Sequence, residues 1–397
     1  MSGQTLTPAD PPAATTELEE IVRTLAGWKR PSASEGELRA AEWIAARLGE
    51  AGLNDVRLES EPAHGGYWWP LGLLSLASGL AAVLGGRLTR LLVGALAALG
   101  IWDELALLRG VWTRRFARRR RTTNVVGELG SRDARTCVVL IAHHDAAHSG
   151  AIFDPTVTYA VGRRFPKTIA RLRAWPRIMY LVLAGPILVA LGSRRLGAAF
   201  SLGSAAAFAD IARSEVVDGA NDNLSGVAAL IALARTLAKN PPDDARVVFL
   251  SAGSEESFEE GSQAFLRRHR ASFPDGSTYV IAIDAVGSPY LLLVEGEGML
   301  ERLEYDVALK YTIEQAAHDA GIEMIREHWL SFGSDALAGL RAGYPSVLVA
   351  SFDDMKLPAN YHWRTDVPDN VDYETVAQSA TVIEGAIRRL AAHAPGR

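Results

Sequence analysis

The pattern of apolar and polar positions divides most of the chain into short amphipathic or apolar segments. Leu38–Gly49 repeats its apolar residues with a helical period and Gly52 ends it, whereas Val56–Glu59 has the length of a short strand. A strongly apolar helix is predicted at Gly226–Lys239. Further strands are predicted at Thr123–Glu128, Thr136–Ala142, Val247–Ser251, Thr278–Ala285 and Ser346–Ala350. Together these elements predict an α/β domain.

Two long apolar regions interrupt this pattern, at residues 67–108 and 176–212. The first contains the runs YWWPLGLLSLASGLAAVLGG and LLVGALAALGIWDELALL, each close to the ~20 apolar residues of a spanning helix. The second contains the shorter runs IMYLVLAGPILVALG and LGAAFSLGSAAAFADIA. We expect each region to form an inserted hydrophobic helical hairpin with transmembrane helices. Apolar runs of this length also occur in buried helices, so a lid or a dimer interface is the alternative.

Charge and cysteine content exclude some classes of protein. A net charge of -5 and a pI near 6.0 give no general attraction to nucleic acid, so no nucleic-acid partner is expected. Cys137 is the single cysteine, which excludes an intrachain disulfide. Residues 1–16 are predicted to be a disordered tail, and no secretory signal peptide is predicted, which favours a cytosolic start.

Residues of metal-binding type stand at the ends of two predicted strands. An apolar strand leads to His143, and Asp145 lies two residues later on the same side of an extended chain. Asp284 interrupts an apolar strand, where an ionised carboxylate is costly unless it is paired or bound to a metal. Open α/β sheets bind ligands beyond the carboxyl ends of their strands, so we expect these side chains to converge.

Three loops add further candidates. Asp222 precedes the apolar helix, where helix capping would be its ordinary role. Glu255 and Glu256 are adjacent after a strand, where one carboxylate can bind a metal while its neighbour holds a water. His362 lies on a loop with Asp366 four residues later.

Together these residue types suit a hydrolytic site with two zinc ions. Zinc accepts nitrogen and oxygen ligands, and a shared carboxylate can hold two ions about 3.5–4 Å apart. The predicted metal ligands are His143, Asp222, Glu256, Asp284 and His362. Glu255 is the predicted catalytic base for the attacking water, and Asp145 is predicted to orient the imidazole of His143 or to support the metal environment.

At this point the motifs resemble the M28 family of zinc peptidases, the aminopeptidase and glutamate-carboxypeptidase-like group. The family's strand-end His-x-Asp resembles His143-His144-Asp145, its aspartate before x-x-Ser-Gly resembles Asp222, and its Glu-Glu pair resembles Glu255-Glu256. The resemblance implies a phosphorylase/hydrolase-like fold with a mixed central sheet and helices on both faces. It also implies that Asp222 bridges the two metals and that Glu255 is the general base.

The resemblance covers residues 17–66 and 122–394, outside the two apolar insertions. One departure is the long segment between His143 and Asp222, where the family commonly has few residues. Another lies in a segment that resembles the family's Ser-Asp-His stretch, where Ala336 follows Ser334 and Asp335. We expect Ser334 and Asp335 to face the substrate.

The leading interpretation is a metallo-aminopeptidase that acts on peptide substrates. A glutaminyl-cyclase-like acyltransferase with one zinc is an alternative, as is a membrane receptor or scaffold with an inactive peptidase domain. The complete ligand set and Glu255 argue against both. Side-chain specificity, exo- or endo-cleavage and oligomeric state stay open.

The candidate ligands also constrain the membrane topology. They lie on both sides of the second apolar region and must share one compartment, so each region crosses a membrane an even number of times if it crosses at all. Seven arginines between Arg109 and Arg121 and six cations between Arg163 and Arg177 lie on the catalytic side, against four at the hairpin tips. The expected location is therefore a membrane, with the catalytic domain in the cytoplasm.

Overall fold

The computed structural model describes residues 15–107, 114, 119–165 and 178–392. Its strands are β1 (Asn54–Ala63), β2 (Arg120–Leu129), β3 (Thr136–His143), β4 (Ala245–Ala252), β5 (Thr278–Ile283), β6 (Tyr290–Glu297), β7 (Leu303–Glu304), β8 (Ile325–Trp329) and β9 (Ser346–Phe352). Its helices are α1 (Thr15–Ala26), α2 (Glu35–Glu50), α3 (Trp68–Leu84), α4 (Arg87–Trp102), α5 (Pro155–Arg164), α6 (Ile178–Ala190), α7 (Arg194–Ile211), α8 (Gly226–Lys239), α9 (Glu260–Arg268), α10 (Val307–Asp319), α11 (Asp335–Arg341) and α12 (Tyr373–Ala392).

The strands form one mixed sheet in the order β1-β2-β4-β3-β5-β9-β6-β7, with β8 paired to β6. The four central strands β4, β3, β5 and β9 are parallel, and their register aligns His143 at the end of β3 with Ala252 at the end of β4. The pairs at either side, β1 with β2, β2 with β4 and β9 with β6, are antiparallel. The carboxyl ends of the central strands therefore lie along one edge of the sheet.

Helices cover both faces of the sheet. Along β3, Val138 and Leu140 enter one hydrophobic core and Val139 and Ile141 enter the other, as the alternation of side chains in a strand requires. Helices α1, α2, α8, α10 and α12 contribute to the first core, and α9 and α11 contribute to the second. The prediction of an α/β fold with a mixed central sheet is confirmed.

Most predicted elements lie inside the observed ones. The predicted bounds of α8 are those observed, and the other predicted segments fall within α2, β1, β2, β3, β4 and β9. The strand predicted at Thr278–Ala285 is too long, because β5 ends at Ile283 and Asp284 begins a loop. The sequence did not predict β6, β7 or β8, which extend the sheet beyond β9.

The two apolar regions contribute four helices, α3, α4, α6 and α7, which we call the four-helix insertion. Helix α3 packs on α7, and α4 packs on α6. A Cβ at Gly79 would lie 2.4 Å from the Leu202 side chain, and one at Gly94 would lie 2.8 Å from the carbonyl oxygen of Pro186. Glycine at these two contacts lets the helix backbones approach closely, so both apolar regions belong to one packed group.

The four-helix insertion packs against the α/β domain through a third hydrophobic core. Trp68, Leu71 and Phe208 of the insertion share this core with Phe258 of the domain. The ring of Tyr67, just before α3, stacks on Phe258 with 4.9 Å between centroids. The insertion therefore contacts the loop that carries the Glu255-Glu256 pair.

The prediction of transmembrane helices is not supported by this structure. Within the described part of the chain, no helix combines the length and the apolar character needed to cross a membrane.

Two other predictions fall mainly outside the described residues. Of the predicted disordered tail at residues 1–16, residues 1–14 lie outside them, and Thr15 and Thr16 begin α1. Many of the cations used to orient the chain lie at residues 108–113, 115–118 and 166–177, which are also outside the described part.

Candidate metal centre

Three neighbouring parallel strands bring four candidate side chains to one edge of the sheet. Strand β3 lies between β4 and β5 and ends at His143. Glu255 and Glu256 follow β4, and Asp284 follows β5. Because the carboxyl ends of parallel strands meet at the same edge, residues far apart in the sequence become neighbours there.

The loop before α8 brings in Asp222, and Asp366 holds this loop in place. The backbone N–H of Asn221 donates to Asp366 Oδ1 at 2.7 Å, and the N–H of Asp222 donates to Asp366 Oδ2 at 3.2 Å. Asp366 thus fixes the backbone at Asp222. Asp366 itself lies on the loop that carries His362.

Asn223 ties the other side of this loop to the end of β5. Its Nδ2 donates to the carbonyl oxygen of Ile283 at 2.8 Å, and its Oδ1 accepts the N–H of Ala285 at 3.1 Å. Ile283 and Ala285 flank Asp284, so these bonds set the position of Asp222 relative to Asp284.

The candidate ligands form two clusters of three that share Asp222. Within each cluster the ligand atoms lie within 4.8 Å of one another. The clusters are His143, Asp222 and Asp284, and Asp222, Glu256 and His362. Asp222 Oδ1 lies 3.3 Å from His143 Nε2, and Asp222 Oδ2 lies 3.3 Å from His362 Nε2. Each oxygen of Asp222 faces a different histidine, as a bridging carboxylate requires.

The remaining contacts complete the two clusters. His143 Nε2 lies 3.8 Å from Asp284 Oδ1, and His362 Nε2 lies 3.2 Å from Glu256 Oε2. Glu255 Oε2 is also 3.8 Å from His143 Nε2, so His143, Glu255 and Glu256 form a third possible ligand group. Glu255 therefore lies beside both clusters rather than inside either.

Asp145 connects the strand end to the glutamate loop. Its Oδ1 accepts the N–H of Glu255 at 3.0 Å, and its Oδ2 accepts the N–H of Glu256 at 3.2 Å and the hydroxyl of Ser32 at 2.6 Å. Asp145 Oδ1 is also 3.4 Å from His143 Nδ1. A carboxylate in this place orients both the imidazole and the glutamate pair.

The crowding of carboxylates shifts several pKa values. Burial, together with the charge of Asp222, raises the pKa of Asp284 to about 8. Burial also raises the pKa of Glu255 well above its usual value, and Glu256 adds to this effect. Burial favours the neutral imidazole of His362, but Glu256 and Asp222 outweigh it and raise the pKa of His362 to about 10. A divalent cation would relieve this accumulation of negative charge.

Several buried polar atoms of the candidate ligand residues have no hydrogen-bond partner among the described residues. These buried atoms without a partner are both ring nitrogens of His143, Nδ1 of His362 and Oε1 of Glu256. Buried polar atoms normally have partners, and Nε2 of His143, which faces Asp222 and Asp284, would gain one in a cation bound by these three residues. Imidazole nitrogens and carboxylate oxygens are common zinc ligands. The residues therefore fit zinc.

Ser334 and Asp335, which we expected to face the substrate, are buried at the start of α11. Ser334 Oγ accepts the N–H of Ala336 at 3.2 Å as a helix cap and donates to Glu297 Oε1 at 3.2 Å. In the described part of the chain, the residues of this segment that line the cavity beside the metal centre are Ser331, Phe332 and Gly333. Substrate contact by Ser334 and Asp335 stays a prediction.

Some residues that support the site gave no signal in the sequence. Glu37 of α2 accepts both the N–H and the hydroxyl of Ser254, the residue before Glu255, at 3.1 and 3.0 Å. Arg30 donates to the carbonyl oxygen of His144 at 2.9 Å. A charged residue in an amphipathic N-terminal segment normally faces water, so only the tertiary structure assigns these two to the site.

One part of the chain matches a known family. Residues 204–387 match the model of the family described as Peptidase family M28. A search of curated proteins gives no match for this chain.

Solved structures share the fold across nearly the whole chain. A Zn-dependent exopeptidase from Parabacteroides distasonis is 14% identical to this chain, with a TM-score of 0.57. The aligned part covers 95% of this chain and 99% of the exopeptidase. A leucine aminopeptidase precursor from Bacteroides thetaiotaomicron is 15% identical, with a TM-score of 0.57. The aligned part covers 96% of this chain and 99% of the precursor. A glutaminyl cyclase from the same organism, bound to N-acetylhistamine, is 15% identical with a TM-score of 0.58 and the same coverage. At such identities the likeness concerns the fold alone.

Proposed function

Residues 204–387 match the model of peptidase family M28, and from this premise we propose that the chain is a zinc-dependent aminopeptidase that uses two zinc ions. The observation that carries the proposal is the pair of ligand clusters that share Asp222. A site for two metals needs a carboxylate between two sets of ligands, and Asp222 faces one histidine with each oxygen.

The two clusters divide the ligands between the metals. His143, Asp222 and Asp284 would hold one zinc ion, and Asp222, Glu256 and His362 would hold the other. When bound, such a pair polarises the scissile carbonyl group and lowers the pKa of a water. Asp366 and Asp145 keep the loops of Asp222 and Glu256 in position for this task.

Glu255 performs the proton transfers in this proposal. It accepts a proton from the attacking water and donates it to the leaving amine as the peptide C–N bond breaks. Asp145 fixes its backbone N–H, and its carboxylate is beside His143 without being needed in either cluster. Burial raises the pKa of Glu255, which makes its carboxylate a stronger base than an exposed one.

A second candidate is a glutaminyl-cyclase-like acyltransferase with one zinc ion. Glutaminyl cyclases are among the solved structures with this fold. In that reaction the N-terminal amine attacks the side-chain amide of its own glutamine and releases ammonia, so no water is consumed. One zinc ion would leave one of the two ligand clusters without a role, which favours the peptidase.

Metal analysis and substrate assays separate these functions. The full chain is loaded with zinc, its metal content is measured, and it is incubated with a panel of amino-acid amides, blocked peptides and a peptide with N-terminal glutamine. We expect two zinc ions per chain and hydrolysis of the free-amine substrates. One zinc ion with cyclisation of glutamine would replace our proposal by the second candidate, and turnover of neither would indicate an inactive scaffold.

We also propose that one end of the four-helix insertion contacts a lipid surface. The connection between α3 and α4 lies beside the connection between α6 and α7, because Arg194 donates to the carbonyl oxygens of Ala82 and Val83 at 3.1 and 2.9 Å. We call this end the tip surface. Exposed leucines on it are Leu84, Leu88, Leu191 and Leu196, and exposed arginines are Arg87, Arg194 and Arg195. Apolar side chains next to cations suit the boundary of an anionic bilayer.

A further inference from the structure

We propose that the four-helix insertion builds a substrate subsite for a large apolar group next to a primary amine. This inference rests on the proposed function, since it concerns the substrate of the same metal centre. It goes beyond that function because it assigns specificity to helices α6 and α7, which come from the second apolar region.

A cavity of about 510 Å³ joins the metal centre to the insertion. Its lining includes Glu255, Glu256 and His362 from the α/β domain, and side chains of α6 and α7, among them Val182 and Phe208. Clefts that hold drug-sized ligands have roughly 300–1,000 Å³. The cavity therefore accommodates more than the atoms around a scissile bond.

The charged lining residues of the cavity come from the α/β domain and not from the four-helix insertion. Glu255, Glu256, Glu259 and His362 are its charged or titratable lining residues apart from two tyrosines, and the described lining contains no lysine or arginine. The wall from the insertion is mainly aliphatic and aromatic, and Phe200 and Leu181 there are 36% and 42% exposed. Such a cavity favours a ligand with a cationic head at the carboxylates and an apolar body along the helices.

Aromatic lining residues outside α6 and α7 connect the cavity to the candidate metal ligands. The ring of Phe153, which lines the cavity, lies edge-on to the ring of His362 with 4.7 Å between centroids. At the other side, Tyr67 lines the cavity and stacks on Phe258, two residues after Glu256. A group held in this cavity is therefore held next to the metal centre.

Helix α7 offers two positions at which a larger side chain would enter the cavity. Ala199 and Gly203 both line the cavity and lie four residues apart, on one face of the helix. A Cβ added at Gly203 meets no atom within 4 Å. Leucine at Gly203 would place its side chain in the cavity and improve helix propensity. Gly49 is the matched control, because it lies near the end of α2, outside the cavity lining, and its added Cβ also meets nothing.

Binding of linear alkylamines tests the subsite without requiring turnover. Calorimetry on the zinc-loaded full chain measures the dissociation constants of butylamine, hexylamine and octylamine for wild type, Gly203→Leu, Ala199→Leu and Gly49→Leu. We expect affinity to rise up to about four-fold per methylene in wild type and Gly49→Leu. In Gly203→Leu and Ala199→Leu, octylamine binding falls by at least about ten-fold, whereas butylamine binding changes little.

The outcomes separate the subsite from the proposed activity. Octylamine that binds both cavity variants as tightly as wild type would overturn the subsite, as would affinity that does not depend on chain length in wild type. Chain-length dependence that both cavity variants abolish, in a chain that cleaves no peptide, would retain the subsite and reject the aminopeptidase. If Gly203→Leu does not fold, as judged by thermal unfolding, Ala199→Leu decides.

Discussion

The carboxylate of Asp145 accepts the backbone N–H of Glu255 at 3.0 Å. This bond joins the end of β3 to the loop after β4, the two segments that provide the first histidine and the glutamate pair. A carboxylate with no exposed surface keeps such bonds because water does not compete for its oxygens. The candidate base is therefore placed by a residue that is not itself in either metal cluster.

We expect Asp145→Asn to weaken zinc binding by about 10- to 100-fold, because an amide cannot accept on both sides and its NH₂ group would face backbone N–H donors. Competition with a chelator of known zinc affinity measures the effect. Asp133→Asn is the control, since Asp133 is exposed on a surface turn. Equal zinc affinity in Asp145→Asn and wild type would show that this bond does not position the site.

Glu255→Gln tests the base. The variant keeps the size of the side chain and the backbone N–H bond to Asp145, but its amide cannot accept the proton of the attacking water. We expect kcat to fall by about 10²- to 10⁴-fold while zinc content stays unchanged. Steady-state kinetics and metal analysis measure the two quantities, with the exposed Glu20→Gln as control. Loss of zinc in Glu255→Gln would instead show that Glu255 is a metal ligand, as the third possible ligand group of His143, Glu255 and Glu256 allows.

Asp222 and Asp284 differ in how many metals they should affect. Asp222 belongs to both clusters, whereas Asp284 belongs to one. We therefore expect Asp284→Asn to retain about one zinc ion per chain and Asp222→Asn to retain less than one. Metal analysis after dialysis against limiting chelator measures this, with the exposed Asp354→Asn as control. Equal metal content in the two variants would contradict a bridge at Asp222.

The parallel strands explain why much of the site could be predicted from the sequence. Strands buried on both faces read as continuous apolar runs, so His143 and Asp284 stood out as polar residues at the ends of such runs. Their convergence followed from the rule that ligands bind at the carboxyl ends of strands. The long segment between His143 and Asp222 does not change the strand order around the site. The helices in this segment pack against the domain through a separate hydrophobic core.

Other features depend on contacts that a linear pattern does not contain. Strand β6 pairs with β9 and β8, which lie far along the chain from it, so no local signal fixed its place in the sheet. Asp366 was noted only for its spacing from His362, and its bonds to the Asp222 loop join residues distant in sequence. The apolar regions were interpreted from length and composition, which do not show that Gly79 and Gly94 pack two helix pairs together.

Glu297 gives a prediction for the pH dependence of stability. It has no exposed surface, accepts the hydroxyl of Ser334, and burial raises its pKa to about 8. The folded chain therefore keeps a proton that an unfolded glutamate releases near pH 4.3, so this contribution to stability is present below that pH and is lost as pH rises through 8. Glu297→Gln, which cannot ionise, should gain stability relative to wild type by at most about 1.4 kcal/mol per pH unit between those values.

Thermal unfolding of Glu297→Gln and wild type at several pH values between about 5 and 9 measures this difference. The exposed Glu42→Gln is the control and should show no such trend. A difference between Glu297→Gln and wild type that stays constant with pH would mean that Glu297 is ionised in the folded chain throughout this range.

The tip surface predicts binding to anionic vesicles. Leu84 and Leu191 are 80% and 79% exposed there, beside exposed arginines. Full burial of a leucine side chain is worth about 1.5–3 kcal/mol, so Leu84→Ser with Leu191→Ser should weaken vesicle binding by at least about ten-fold. Leu38→Ser with Leu58→Ser is the matched control, because these leucines are also exposed, at 40% and 43%, but lie on α2 and β1.

Flotation with vesicles of neutral lipid alone and of mixed neutral and anionic lipid separates the two contributions. We expect the full chain to float with the anionic vesicles and to dissociate in part at high salt, because salt screens the arginines while the leucines stay buried in the lipid. If the tip variant floats as well as the control variant, the tip surface is not the lipid contact. If neither the wild type nor the control floats with any vesicle, the proposal of a lipid surface is wrong.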